Sequence, residues 1–305
     1  MRERFPGVGY LLVVEFVSFS LFVPTFASVS NLLNIGIQTS TLLLLSLPMT
    51  LIIMSEGLDL SMGAVLGLSG VVLALALTRG IGLPLALLAA LATGQVFGIV
   101  NGLLVVEAGI PPFVATLGMM GVARGLALAA TGGQSIVGIG AALPALYAST
   151  WAGLPFAIVV AAAAYLAFHV LLYHTRLGTY IFAIGGNREA LRLAAVHADA
   201  YHIIVYGVGG LMAGFAALLL TGRMNAGHPI ASIGMEFEAI ASVVIGGTSF
   251  ERGSGWLPGT LLGVIAIGVL KNGLNLMTVP SSLQVASIGA LVIAALLIDS
   301  FRARG

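Results

Sequence analysis

The sequence predicts an all-α, polytopic membrane protein of about ten transmembrane helices with both termini inside. Three observations carry that expectation. First, 59% of the 305 residues are hydrophobic and only 8% are charged, with a mean hydropathy of +1.11. A soluble domain carries about 25% charged residues, so this chain cannot cover a water-facing surface and lipid must be its solvent. Second, apolar runs of spanning length recur along the whole chain. Third, the arginines between those runs are biased to one side. The 41 glycines fit as well, because small residues let helices approach where lipid supplies no hydrophobic drive for association. A net charge of +1 offers no basic field for nucleic acid, and a chain without cysteine has no disulfides or thiolate chemistry.

A spanning helix needs about 20 mostly apolar residues. Arg2 and Arg4 precede the apolar stretch from Val8 to Val23, and Ala27 and Ser28 follow it. A cleaved leader has that pattern, but Glu15 within the stretch and its length favour a retained first span at 8–27. Further spans are expected at 34–54, 60–78, 84–106 and 112–131, then at 154–174, 203–222, 237–249, 257–278 and 282–299. The 237–249 segment is short for a crossing. Each must be helical, since backbone groups in hydrocarbon find no water. The whole chain, 1–305, reads as a single transmembrane domain, with external loops at 132–153 and 223–237 and a polar cytoplasmic stretch at 174–202. With the N-terminus inside, Arg2, Arg4, Arg176, Arg188, Arg192, Arg252, Arg302 and Arg304 fall in the cytoplasm, against Arg79 and Arg223 outside. That is the positive-inside bias.

Three stretches interrupt the apolar pattern. Around 55–63, Glu56 and Asp59 make an uninterrupted helix costly, at about 2.5–3.5 kcal/mol for an Asp at a helix centre. Gly57 permits a bend, and Asp59 or Ser61 can cap the helix that follows. The segment is either a capped cytoplasmic turn or a break lining a polar cavity. Around 245–255, Gly246, Gly247, Gly253 and Gly255 give a permissive turn, either a plain hairpin or a moving joint. In 183–194, Asn187 can cap a short amphipathic helix whose face is Ala190, Leu191, Ala194 and Ala195. Such a helix is either a solvated loop or a seat in a partner's groove.

Polar residues within spans default to functional hypotheses: Gln38, Asn101, Arg124, Lys271, Asn272 and Asn275, with Asp59 at the first break. Arg124 and Lys271 are expected to face the bundle interior, paired with carbonyls or with Glu56, Asp59, Glu236 or Glu238. Asn272 and Asn275, at i and i+3, share a face and would line a polar path. Helix–helix bonding is the plainer account of all of these. His169, His174, His197, His202 and His228 are too dispersed for a metal site, and no nucleophile–base pair emerges.

Taken in order, Gly57-Leu58-Asp59-Leu60-Ser61-Met62-Gly63, Ala183-Ile184-Gly185-Gly186-Asn187 and Ile240-Ala241-Ser242-Val243-Val244-Ile245-Gly246-Gly247-Thr248 resemble the permease subunits of ABC importers of the ribose, xylose and galactose class. Those belong with the branched-chain amino acid permeases. The resemblance implies import of a pentose or hexose across the bacterial cytoplasmic (inner) membrane. It implies a second permease subunit, the same or different, a cytoplasmic ATPase that carries ATP and magnesium, and a periplasmic or lipid-anchored sugar-binding protein. It implies no cofactor in this chain, which also has no G-x-x-x-x-G-K-[ST] phosphate loop. The coupling helix to the ATPase would comprise Gly185, Gly186, Asn187, Arg188, Glu189, Leu191 and Arg192. Gly57, Gly63, Gly246 and Gly247 would be hinges of the transport motion. Arg223, His228, Glu236 and Glu238 would receive the binding protein, unless they form an ordinary charged loop. Competing substrates are a branched-chain amino acid, a nucleoside or a sugar-like signal molecule. A competing class is an ion-coupled transporter built from broken helices.

Overall fold

The computed structural model describes residues 6–193, 196–249 and 254–304. Among them are twelve helices and a two-stranded hairpin. In chain order they are α1 (Pro6–Phe22), α2 (Val29–Met54), α3 (Met62–Thr78), α4 (Leu83–Val106), α5 (Pro112–Thr131), α6 (Ala142–Ala148), β1 (Thr150–Trp151), β2 (Leu154–Pro155), α7 (Phe156–His174), α8 (Arg176–Leu193), α9 (Ala198–Met224), α10 (Met235–Ile245), α11 (Leu257–Leu276) and α12 (Ser281–Arg304). A helix stands at each of the ten expected positions. Six of them, α2, α4, α5, α7, α9 and α11, are long and apolar enough to cross a membrane.

Local chemistry sets many of the ends. Ser28 Oγ accepts the Asn31 N–H and caps α2, while proline occupies the first turn of α4, α5 and α11, where its missing N–H costs nothing. Asn225 ends α9 in the left-handed region. Helix α2 is the hub and is buried without a break from Thr39 to Met54. Its hydroxyls are satisfied on their own helix, Ser46 and Thr50 donating to the carbonyls four residues back at 2.9 and 2.8 Å. Helices α4, α5 and α7 instead present Leu85, Leu88, Val96, Leu117, Val122, Leu126, Leu166 and Val170 outward, as a lipid-facing belt requires.

The closest helix pair is α4 on α9. Gly94, Gly98 and Gly102 lie one above another on α4 and meet Ile203, Gly210 and Gly214 of α9, backbone on backbone. A Cβ at Gly98 would overlap the Tyr206 carbonyl and stand 2.9 Å from the Gly210 nitrogen. This is the small-residue packing of membrane bundles.

A second glycine row organises the broken part. On α3, Gly63 and Gly67 face residues 229–236, with Ser232 and Glu236 over Gly63 and Pro229 and Ser232 over Gly67, while Gly227 lies against Ala74 and the Gly70 carbonyl. The chain leaving α9 therefore turns back and descends about 10 Å along α3 before α10 begins. It is pinned at its start by the Ile136 and Gly227 bridge, N···O 2.8 and 2.9 Å. Helix α10 has only 11 residues, about 16 Å against a hydrocarbon core of about 30 Å. The expected short span at 237–249 is thus a half-length helix entered by a partly buried coil. Residues 223–237, expected as an external loop, run into the bundle from Ala226 onward.

Three further expectations change. Asn187 does not start a helix: α8 begins at Arg176 and runs through Gly185 and Gly186. The apolar run Leu177–Ile184 propagates it past two glycines that each cost about 1 kcal/mol. Leu191 lies with Ile184 and Ala198 in a small cluster inside this chain, so this side chain is already packed. The side chains of Asn187, Arg188, Glu189, Ala190 and Arg192, with Ala194, Ala195 and 250–253, lie outside the described residues. Finally, Gly57, Gly63 and Gly246 are set by close approach rather than by freedom of the backbone. A Cβ on Gly57 would stand 2.8 Å from Tyr206 Oη, and on Gly63 or Gly246 it would overlap Glu236 or the Gly259 carbonyl. Of the four, Gly247 alone has a left-handed backbone, φ 88°.

Candidate functional site

Two polar centres lie within the apolar bundle. The first is a cavity of about 320 Å³ between α2, α9, α10, α11 and α12. Gln38, Thr39 and Thr41 reach it from α2, Arg223 from the last turn of α9, Glu238 from α10, Lys271 and Asn275 from α11, and Gln284 from α12. Lys271 Nζ donates to both oxygens of Glu238 at 2.8 and 2.9 Å. This end of the bundle carries the 23–28, 132–155 and 277–280 connections. The larger cavities, about 430 and 380 Å³, are lined almost wholly by apolar side chains of α1, α2, α7 and α11 and have little to offer a polar solute.

The start of α10 is held from two sides. Glu236 and Glu238 are two residues apart and point to opposite sides of the helix. Glu238 takes Lys271 of α11, while Glu236 faces Arg124 of α5 at 3.9 Å and accepts the Gly234 N–H at 3.3 Å. Both acids sit in the first turn, where the positive end of the helix dipole favours them.

The second centre is the α2–α3 break. Only Glu56 is exposed, with φ 63°, and Asp59 and Ser61 are buried. Asp59 Oδ1 accepts the Ser61 N–H at 2.8 Å and its hydroxyl at 2.6 Å. Asn101 of α4 donates to Ser61 Oγ at 2.8 Å and, more weakly, to both Asp59 oxygens at 3.4 Å. Thr116 of α5 accepts the Leu60 N–H at 3.1 Å. Tyr206 of α9 accepts the Leu58 N–H and donates to the Leu58 carbonyl, both at 3.2 Å. The break is a buried, internally bonded turn, and none of residues 55–61 lines any of these three cavities. Asp59 ties the turn to itself, and Ser61 makes no side-chain cap to α3.

The sequence-predicted residues therefore divide. Gln38, Lys271 and Asn275 meet in the cavity, and Arg223 and Glu238, expected on a docking surface, join them there. Asp59 and Asn101 meet at the far end. Arg124 pairs with Glu236. Glu236 is 1% exposed, so no external docking face extends to it, whereas His228 is partly exposed. Asn272 does not share the cavity with Asn275. It is buried, and its Oδ1 accepts from Asn31 Nδ2 at 2.8 Å, tying α11 to α2. Sequence reasoning passed over Asn31, Thr41, Thr116, Tyr206 and Gln284. A tyrosine near the start of the otherwise apolar run 203–220 was the signal available for Tyr206.

A family described as "Branched-chain amino acid transport system / permease component" matches residues 31–296. The chain is 36% identical to the ribose import permease protein of Escherichia coli (strain K12), over 98% of this chain and 94% of that protein. It is 32% identical to the D-allose transport system permease protein of the same strain, over 96% and 90%. It is 31% identical to that strain's L-arabinose transport system permease protein, over 97% and 90%. No solved structure matches the chain. A likeness that runs nearly end to end, on a helical bundle with six helices fit to cross a membrane, settles the family: the chain belongs to the branched-chain amino acid transport system permease family.

Proposed function

We propose that this chain is the membrane permease subunit of an ATP-driven ABC importer for a monosaccharide, acting in the bacterial cytoplasmic membrane. The observation that carries this is its near full-length likeness to permeases named for ribose, allose and arabinose. The cavity supports it: amides, a hydroxyl and a neutralised charge pair suit a polyol better than the apolar side chain of a branched-chain amino acid. The chain supplies the path and no enzymatic step. ATP hydrolysis belongs to a cytoplasmic partner, delivery to a sugar-binding protein, and the pore to this chain with a second permease subunit.

The arginine bias favours the end with 55–61, 107–111, 175–197 and 246–256 as cytoplasmic, and the cavity then opens toward the outer side. The chain would cross with its N-terminus inside, with α10 as a half-crossing. Coupling is assigned to the C-terminal part of α8. Leu193, 81% exposed at its end, is the apolar side chain there free to enter a partner groove.

Co-expression with sugar-class ABC ATPase subunits tests this. The wild-type chain should capture an ATPase and, with a binding protein, support ATP-driven uptake of ribose, allose or arabinose into vesicles. Leu193→Glu should lower capture at least tenfold without changing thermal stability. Uptake at the wild-type rate without any ATPase would overturn the proposal in favour of an ion-coupled transporter.

A further inference from the structure

We infer that the cavity between α2, α9, α10, α11 and α12 is a binding site for one neutral monosaccharide within a single permease chain, rather than bare space along the path. The inference rests on the importer reading and deepens it.

Volume comes first. About 320 Å³ lies at the small end of ligand sites, roughly 300–1,000 Å³, and admits one small solute rather than a chain of them. Charge comes second. Lys271 enters the cavity already matched by both oxygens of Glu238, so that pair presents a dipole and not a free ion. At the Lys271 and Glu238 pair an anion would have to displace Glu238 and a cation Lys271. Arg223 is cationic but exposed, so solvent and salt screen its charge.

Hydrogen-bonding capacity comes third. Gln38 and Asn275 each offer one acceptor and two donors, and Thr41 offers both in one hydroxyl. A sugar hydroxyl also donates and accepts, so such groups can read a ring of hydroxyls without any net charge. Among the described residues no aromatic ring lines the cavity, so they offer the ligand no stacking surface. Affinity is accordingly low, with Kd on the order of millimolar. A transport site needs that property, since the solute must also leave.

The cysteine-free sequence permits a direct test. The full chain is placed in nanodiscs with a single cysteine at the cavity wall, Ala231→Cys, which leaves the polar lining intact, or at the exposed hairpin, Thr150→Cys. Each is labelled with a hydrophilic methanethiosulfonate reagent, with and without D-ribose, D-allose or L-arabinose. At ten times its Kd the preferred sugar should slow labelling at position 231 about tenfold by mass action, leave position 150 unchanged, and be outdone by neither inorganic phosphate nor leucine. Adding Lys271→Met with Glu238→Gln, which keeps the net charge and removes the dipole, should abolish protection. Equal labelling with and without every sugar would overturn the site, as would protection that survives the double substitution or is given better by phosphate or leucine. ATP-driven uptake measured separately distinguishes the two claims. Intact uptake without protection removes the site and leaves the importer, while protection without uptake does the reverse.

Discussion

Replacing Gly98 by alanine adds one carbon where the backbones of α4 and α9 meet. That carbon would overlap the Tyr206 carbonyl and stand 2.9 and 3.0 Å from the nitrogen and Cα of Gly210. Every one of these is a backbone atom, so no side chain can swing aside. The helices must separate by about 0.5–1 Å, enough to forfeit a quarter to a half of each dispersion contact. Suppose about 40 atom pairs across the seam, as many as one buried leucine makes, each worth about 0.15 kcal/mol. The loss is then about 1.5–3 kcal/mol, which agrees with the usual cost of overpacking. The folded-to-unfolded ratio should fall roughly 10- to 100-fold. The assay is SDS-titrated unfolding in detergent micelles, followed by helical circular dichroism. Gly118→Ala is the comparator, because nothing lies within 4 Å of its added carbon and alanine is the better helix former by about 1 kcal/mol. If Gly98→Ala proves as stable as Gly118→Ala, the α4–α9 seam is not a backbone contact and the packing argument fails.

The other expectations concern the polar groups. Lys271→Met or Glu238→Gln alone should cost roughly 1–3 kcal/mol, between an exposed and a fully buried pair, and the double substitution should recover most of it in the same unfolding assay. Tyr206→Phe removes both hydrogen bonds to Leu58, and an expected loss of about 1–3 kcal/mol is read as a lower thermal midpoint. Asn272→Leu should cost about 0.6–1.7 kcal/mol, the range of interhelical bonds in membranes. It should leave sugar protection at position 231 unchanged, since Asn272 faces Asn31. Asn101→Ala should destabilise through the Asp59 and Ser61 turn, and a double-mutant cycle with Ser61→Ala should give less than the sum of the two single losses.

Hydropathy made the helices legible to within a few residues, because a lipid-facing helix must be apolar along its full length. The charged residues were partly legible for the same reason. Arg124 and Lys271 have few acids within reach, and both settle on members of the expected set, Glu236 and Glu238. The descent of residues 225–234 was hidden. Asn225, Gly227, His228 and Pro229 have the composition of an exposed loop, and what draws them inward is the glycine face of α3, almost 160 residues earlier. Asn272 and Asn275 show the limit of face arguments. Three residues apart, they differ by about 60° around the helix, and on α11 that step separates the buried contact with Asn31 from the cavity. The start of α8 was lost because Gly185 and Gly186 resemble a stop signal, and an apolar neighbour outweighs it.

The half-length α10 has a consequence for biogenesis. A segment of 11 helical residues preceded by a polar coil cannot partition into lipid as an independent unit, because its unpaired backbone groups would meet hydrocarbon. Helices α9 and α11 can enter the bilayer separately, but residues 225–245 have a place only after α3 has presented its glycine groove and Arg124 and Lys271 have arrived from α5 and α11. Residues 225–245 therefore join the bundle last, by assembly rather than by insertion. A nascent chain halted after α10 and before α11 would still hold them at the water interface, open to protease, and would bury them only once Lys271 had emerged.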